Sequence, residues 1–286
     1  GTYTVSAFAK KGTRSFLAIA FNGTSYFDLQ NGTITTTGSG HTASIENLGN
    51  DWYRCSIVKT ISTTQTAAFY FADTNNTLTT ADDEGYMYLY GTQLEVGSYP
   101  TSYIPTSGST VTRNQDQFTR NNLASLINST EGVLFVEMAA LSDDNTDKRI
   151  SISDGTLNNY VLIGFSRFTG NINREIVAGG VIQHSGFGAT GVTQTNNNKF
   201  ALSWGGGAIK FYINGSLINS TTLNTPPTGL NSLKFSAGNN TLTFFGKVKQ
   251  LQVYKTALTD NQLMQLTSES YESYSAMAAA LTYTIQ

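Results

Sequence analysis

The chain has one cysteine, Cys55, among 286 residues, so no disulfide can form within it and its stability must come from packed cores. A single thiol in an apolar stretch reads as a small buried hydrophobe rather than a nucleophile. Charge is scarce as well. Asp, Glu, Lys and Arg make up 13% of the residues, about half the usual share of a soluble domain. The formal net charge of −2 creates no field that would gather nucleic acid or an anionic membrane. There are only two histidines, His41 and His184, and they are isolated from each other, so the sequence builds no histidine metal site. No run of about 18 apolar residues and no secretory leader is present. These absences argue against nucleic acid, a membrane or a bound cofactor as partner.

What the chain does have is 27 Gly, 15 Tyr and 16 Phe, with dense Thr, Ser and Asn. That is the composition of strands and tight turns. The clearest local signal runs from Lys199 to Ser220. Phe200, Leu202 and Trp204 alternate with polar or small residues, then Ile209, Phe211 and Ile213 alternate with Lys210 and Tyr212. Asn214-Gly215 follows, and an Asn-Gly pair between alternating runs predicts a type I′ hairpin, whose two central residues need positive φ.

Similar short strands are expected from Tyr3 through Leu94, at even spacing and separated by Asn22-Gly23, Asn31-Gly32, Gly38-Ser-Gly40 and Asn50-Asp51. They resume at Phe118 and continue to Tyr254. Such spacing predicts an all-β chain of two β-sandwich (jelly-roll) domains in tandem. One short helix is expected over Thr259–Leu266, with Thr259 as its N-cap, and a second over Tyr271–Leu281. Residues 1–105 form the first domain in this reading, 106–117 a Ser/Thr/Gly-rich linker strap, 118–269 the second domain and 270–286 a tail. The chain opens inside a strand, so the first domain is expected to be truncated, leaving an open neighbour position beside the strand at Tyr3.

No catalytic constellation emerges. Glycoside hydrolysis needs two carboxylates about 5–9.5 Å apart, but Glu131 and Glu137 straddle an apolar run and Glu137 stands alone. Asp82-Asp83-Glu84 reads as a solvated turn. Asp143, Asp144 and Asp147 lack Ca²⁺-loop spacing and read as an acidic loop. In Val181-Ile-Gln-His184 the Gln and His are adjacent and so face opposite sides of a strand. There is no G-x-S-x-G elbow, and Gly205-Gly206-Gly207 leads into a strand, so it is no phosphate loop. Sugar binding asks for less, namely exposed rings and polar neighbours. Tyr86, Tyr88 and Tyr90 share one face of a strand, and Thr92 extends it, while Met87 and Leu89 share the other. If Met87 and Leu89 face the core, the three rings form an outer platform. The alternative is that the tyrosines pack inward with their hydroxyls at the rim. Trp52 and Trp204 are both expected in cores.

Two segments carry a resemblance. Gly49-Asn-Asp-Trp-Tyr-Arg54, and Gly91-Thr-Gln-Leu-Glu-Val-Gly-Ser-Tyr-Pro-Thr-Ser-Tyr-Ile-Pro-Thr106 continued by Thr110-Val-Thr-Arg113, resemble the carbohydrate-binding-module-like jelly rolls of bacteriophage tail and virion adhesins. The W…G…I-K-F-Y-I-N-G stretch, and the end Tyr254-x-x-Ala257-Leu-Thr-Asp-x-Gln-Leu263, resemble laminin-G-like domains of the concanavalin A-like sandwich superfamily. The resemblance implies a non-enzymatic adhesin on the virion surface. Its expected partners are a surface polysaccharide or glycan, other virion proteins and further copies of itself in a homo-oligomer. A structural fibre or decoration module, and the accessory binding region of a polysaccharide-degrading enzyme, are the alternatives.

Overall fold

The structure, a computed structural model, describes residues 1–72, 74–78, 84–113, 116–188, 191–268 and 274–281. It separates into two compact units, Gly1–Asn114 and Gln115–Gln286. Strands dominate both.

The first unit holds β1 (Thr2–Lys11), β2 (Phe16–Ala20), β3 (Thr24–Asp28), β4 (Thr33–Thr36), β5 (Thr42–Gly49), β6 (Trp52–Thr60), β7 (Ala68–Ala72) and β8 (Met87–Val96). They form two antiparallel sheets, β5-β6-β1-β8 and β4-β3-β2-β7. The alternation of β1 puts Val5 and Ala9 inside, against Leu17, Ile19, Phe27, Cys55, Ile57 and Met87. Cys55 is fully buried, and its thiol is pushed up by that burial, which makes it inert as a nucleophile. β1 does not have the open neighbour expected near Tyr3. It is paired on both sides, by β6 from Thr2↔Thr60 and by β8 from Tyr3↔Val96. The outermost strands of these sheets are β5, β8, β4 and β7.

The second unit holds β9 (Thr119–Arg120), β10 (Gly132–Ala140), β11 (Lys148–Ser153), β12 (Tyr160–Phe165), β13 (Ile172–Ala178), β14 (Val181–Gly186), β15 (Asn198–Gly205), β16 (Ala208–Ile213), β17 (Ser216–Thr222), β18 (Ser232–Lys234), β19 (Gly246–Tyr254), α1 (Asp260–Ser268) and α2 (Tyr274–Ala280). A five-stranded sheet, β17-β16-β15-β10-β19, packs on a six-stranded one, β14-β13-β12-β11-β18-β9. Leu134, Val136 and Met138 point between the sheets with Ile150, Ile163, Phe200, Trp204 and Phe211. Val133 and Phe135 point the other way and meet Leu263 and Leu266 of α1 and Met277 of α2. β10 is therefore buried along its whole length, which explains its unbroken apolar run. Trp204 is fully buried, as expected, and its indole N–H donates to the Ser129 carbonyl at 3.0 Å.

The Asn214-Gly215 turn has φ of 46° and 83°, and it joins β16 to β17 with Ile213 opposite Ser216. Gly179-Gly180 does the same between β13 and β14, with φ of 58° and 79°. α1 begins with a reciprocal cap. Thr259 N–H donates to Gln262 Oε1 at 2.9 Å, and Gln262 N–H donates back to Thr259 Oγ1 at 3.4 Å. The second helix begins at Tyr274, and residues 271–273 of its expected span lie outside the described residues, as do Asp82 and Asp83. Among the described residues no helix is long and apolar enough to cross a membrane.

Candidate functional site

The outer face of the β5-β6-β1-β8 sheet is set by its register. Lys10 lies between Trp52 and Tyr88, Phe8 between Arg54 and Tyr90, and Ser6 between Ser56 and Gln93. Met87 is buried on the inner side and Leu89 packs against the same core, so Tyr88 and Tyr90 point outward. Tyr86, Tyr88 and Tyr90 are 49%, 50% and 58% exposed.

The rings do not form a flat ladder at the roughly 7 Å repeat of a strand. Tyr86 and Tyr88 stand 5.5 Å apart, edge to face at 81°. The Tyr86 ring folds over Gly12, where a Cβ would fall 2.5 Å from it. Tyr90 tilts between Phe8, at 6.1 Å, and Tyr103, at 5.2 Å.

Two expectations are corrected here. Thr92 does not continue the row, because Tyr90 pairs with Phe8 and Gln93 with Ser6, so Gly91 and Thr92 together oppose Ala7 in a bulge. Gly91 has a φ of 59°, and from this point the alternation is reversed, so that Gln93 and Glu95 join the outer face. Trp52 is not a core residue. It is partly buried at the start of β6 and belongs by register to the outer face, beside Lys10. Lys10 in turn donates to the Asn50 carbonyl at 2.9 Å and lies 3.6 Å from Asp51.

The other half of this face is covered by the chain itself. Glu95 accepts the Thr101 N–H at 2.9 Å, the Thr101 hydroxyl at 2.6 Å and the Gln93 amide at 2.7 Å. Gln93 Oε1 accepts the Ile104 N–H at 3.1 Å, and Arg54 donates to the Thr101 carbonyl. The Arg54 guanidinium also lies over the Phe8 ring at 5.2 Å, and burial pulls its pKa down against the opposing pull of Glu95 and Glu46. The Gln, Glu and Arg of the motif thus clasp residues 98–105 onto the sheet. That cover buries Thr4, Ser6 and Ser56 to 4% exposure or less. What stays open is the aromatic end: Tyr86, Tyr88, Tyr90, Trp52 and Lys10. Flat rings beside an ammonium suit stacking and hydrogen bonding.

Several titratable residues elsewhere serve the fold. Asp144 accepts from the buried Lys148 at 2.6 Å and from Thr146 and Ser142 at 2.6 and 3.0 Å. Its pKa is lowered by these bonds despite burial. Asp147 accepts the Arg167 N–H at 3.0 Å. Among the described residues no group of three or more metal-binding side chains is assembled. Glu137 pairs with Lys249 at 3.1 Å, and Glu131 accepts the Ala257 N–H at 3.2 Å. Six residues of extended chain separate these two carboxylates by roughly 20 Å. His41 is buried, with Nδ1 2.8 Å from Ser25 Oγ and Nε2 3.0 Å from the Phe21 carbonyl. Gln183 sits in a bulge of β14 and accepts the Thr225 N–H at 3.0 Å, while His184 lies opposite Ile176.

Comparison with known proteins places residues 134–264 in a match to the family described as the concanavalin A-like lectin/glucanases superfamily. That is rather less than half of the chain. No curated protein matches it. Among solved structures, it is similar to the CBM40 of the Ruminococcus gnavus IT-sialidase bound to α2,3-sialyllactose, at 19% identity over 51% of this chain and 86% of that one, with a TM-score of 0.44. It is also similar to the NanB sialidase of Streptococcus pneumoniae, at 15% identity over 55% of this chain and 27% of that one, with a TM-score of 0.46. Domain 4 of the Geobacillus stearothermophilus arabinanase AbnA, in complex with arabinotriose, matches at 19% identity over 50% of this chain and 69% of that one, with a TM-score of 0.41.

Proposed function

We propose that this chain is a non-catalytic, glycan-binding pair of sandwich domains from a bacteriophage virion adhesin, exposed at the virion surface and working as a homo-oligomer among other virion proteins. The observation that carries the glycan reading is the open aromatic end of the first unit's outer sheet, beside Trp52 and Lys10. The lectin superfamily match over residues 134–264 supports the same reading for the second unit. The phage setting rests on the G-x-x-W-Y-R and G-x-Q-L-E-x-G…SYIPT motifs. One exposed ring contributes on the order of 1 kcal/mol, so a single site is weak, and repetition over copies supplies avidity of about 10²–10⁴-fold.

The test is a glycan array probed with the whole chain, multimerised on a bead, followed by Tyr88→Ala. The variant is expected to bind about fivefold more weakly with an unchanged melting temperature, because Tyr88 is half exposed and lies outside the core. A large loss of stability with binding intact would place Tyr88 in the fold alone. Absence of binding to every glycan would leave the structural fibre module as the better reading.

A further inference from the structure

Arg174 lies on β13 between Ile172 and Ile176, both of which pack in the core between the sheets. Strand alternation therefore aims it inward, and it is 8% exposed. Its guanidinium stacks over the Phe211 ring, with Cζ 4.9 Å from the centroid. It also passes across Gly186 of β14, where a Cβ would fall 2.5 Å from Cζ, so this course requires a residue without a side chain. Arg174 makes no hydrogen bond or ion pair with any described residue, and its Nε and Nη1 are buried without a partner. Two further orphaned atoms lie on the strands next to β13 and β16. His184 Nε2 belongs to the residue opposite Ile176, and Asn219 Oδ1 to the residue opposite Phe211. Those residues are on β14 and β17, the outermost strands of their sheets, so the cluster opens at the side of the sandwich.

A buried cation without a counter-charge is strongly unfavourable, and a water molecule caps an N–H without neutralising the charge. Nη2 is not among the buried atoms left without a partner. Each two-nitrogen edge of a guanidinium joins Nη2 to either Nε or Nη1, so an acceptor entering at Nη2 reaches one of the orphaned donors in the same step. Among the described residues, Arg174 is the only cation and Glu175 the only anion that act on His184, which disfavours a dianion. A planar monoanion with two oxygens fits this edge.

We propose that Arg174, with His184 beside it, forms a carboxylate-binding site that takes the carboxylate of an acidic sugar. The sugar part of this assignment rests on the glycan reading above, and the carboxylate part rests on the geometry alone. The experiment is titration of the whole chain with sodium acetate, glucuronate, glucose and sulfate at constant ionic strength, followed by calorimetry and melting temperature, for the wild type, Arg174→Met and Arg174→Lys. Acetate and glucuronate are expected to bind with Kd on the order of 1 mM and to raise the melting temperature, while glucose does neither. R174M is expected to weaken both carboxylates at least tenfold and, with its uncompensated charge removed, to melt no lower than the wild type without ligand. R174K keeps the charge but loses the fork, and it falls between them. Should R174M fail to fold, R174K and the wild-type titration still decide the matter. Equal binding of sulfate, full binding by R174K, or no response of the wild type to either carboxylate overturns the site. Acetate binding without glucuronate binding overturns the sugar assignment only. Acetate has no sugar ring to stack on the aromatic face, so its titration reads this site alone, while the glycan array tests the aromatic face separately.

Discussion

Replacing Glu95 by Gln tests whether the motif acts as a clasp. The carboxylate holds three donors, Thr101 N–H, Thr101 Oγ1–H and the Gln93 amide, at 2.9, 2.6 and 2.7 Å. An amide keeps the shape but turns an NH₂ group toward at least one of the donors and removes the charge. Hydrogen bonds to charged groups are worth about 1.5–3 kcal/mol in net stability. Glu95 is only partly buried, so solvent screening takes the expected loss to roughly 1.5 kcal/mol. That is about a tenfold change in the opening equilibrium. Hydrogen exchange reads it directly, because the Thr101 and Ile104 amides are bonded to Glu95 and Gln93. Both should exchange about tenfold faster in E95Q, while the amides of Val5 and Ile57 in the sheet beneath keep their rates. Unchanged protection at Thr101, or equal acceleration throughout the sheet, would refute the clasp.

Two further outcomes follow from buried charge. His41 and His184 both have pKa values below the ordinary 6.5, chiefly because burial disfavours the imidazolium. The unfolded chain therefore takes up protons first, so their contribution is complete above about pH 6.5 and shrinks as pH falls below it. Denaturant melts from pH 8 to 5 should show stability falling over that window, and His41→Gln should flatten the part belonging to the first unit. Asp144→Ala leaves the fully buried Lys148 ammonium without its 2.6 Å partner and should cost the second unit about 3 kcal/mol; an equilibrium denaturation loss below about 1 kcal/mol would contradict it.

Strands such as β5 and β8 were legible because each has one more exposed face, so period-two alternation survives in the residues. The Asn214-Gly215 turn was legible because its backbone admits few other pairs. β14 was harder, since Val181 and Ile182 are exposed apolar residues and the bulge at Gln183 breaks the period. At the candidate site the outward turn of Tyr88 followed from Met87 and Leu89. The end of the row at Tyr90 did not, because a one-residue bulge reverses every later side chain and leaves only a glycine as its sign. Trp52 was misplaced because bulk and hydrophobicity suggest a core, whereas its register with Lys10 exists only once the strands pair. The clasp was invisible for the same reason: a Gln, a Glu and an Arg in separate stretches acquire their common role only in three dimensions.

The burial of β10 on both faces has a cost during synthesis. Gly132–Ala140 emerges from the ribosome as GVLFVEMAA, a sticky segment whose neighbours β15 and β19 are encoded far downstream. At about 5–20 residues per second, β19 follows some 5–20 s later. Over that wait the only formal charge in the segment is Glu137, which acts against intermolecular pairing as a gatekeeper does. In the finished sandwich that carboxylate is buried, and its ion-pair partner is Lys249, carried by β19, the last of this unit's described strands to be made. The residue that keeps the nascent strand apart from other chains is thus matched by the strand whose arrival ends the need for it.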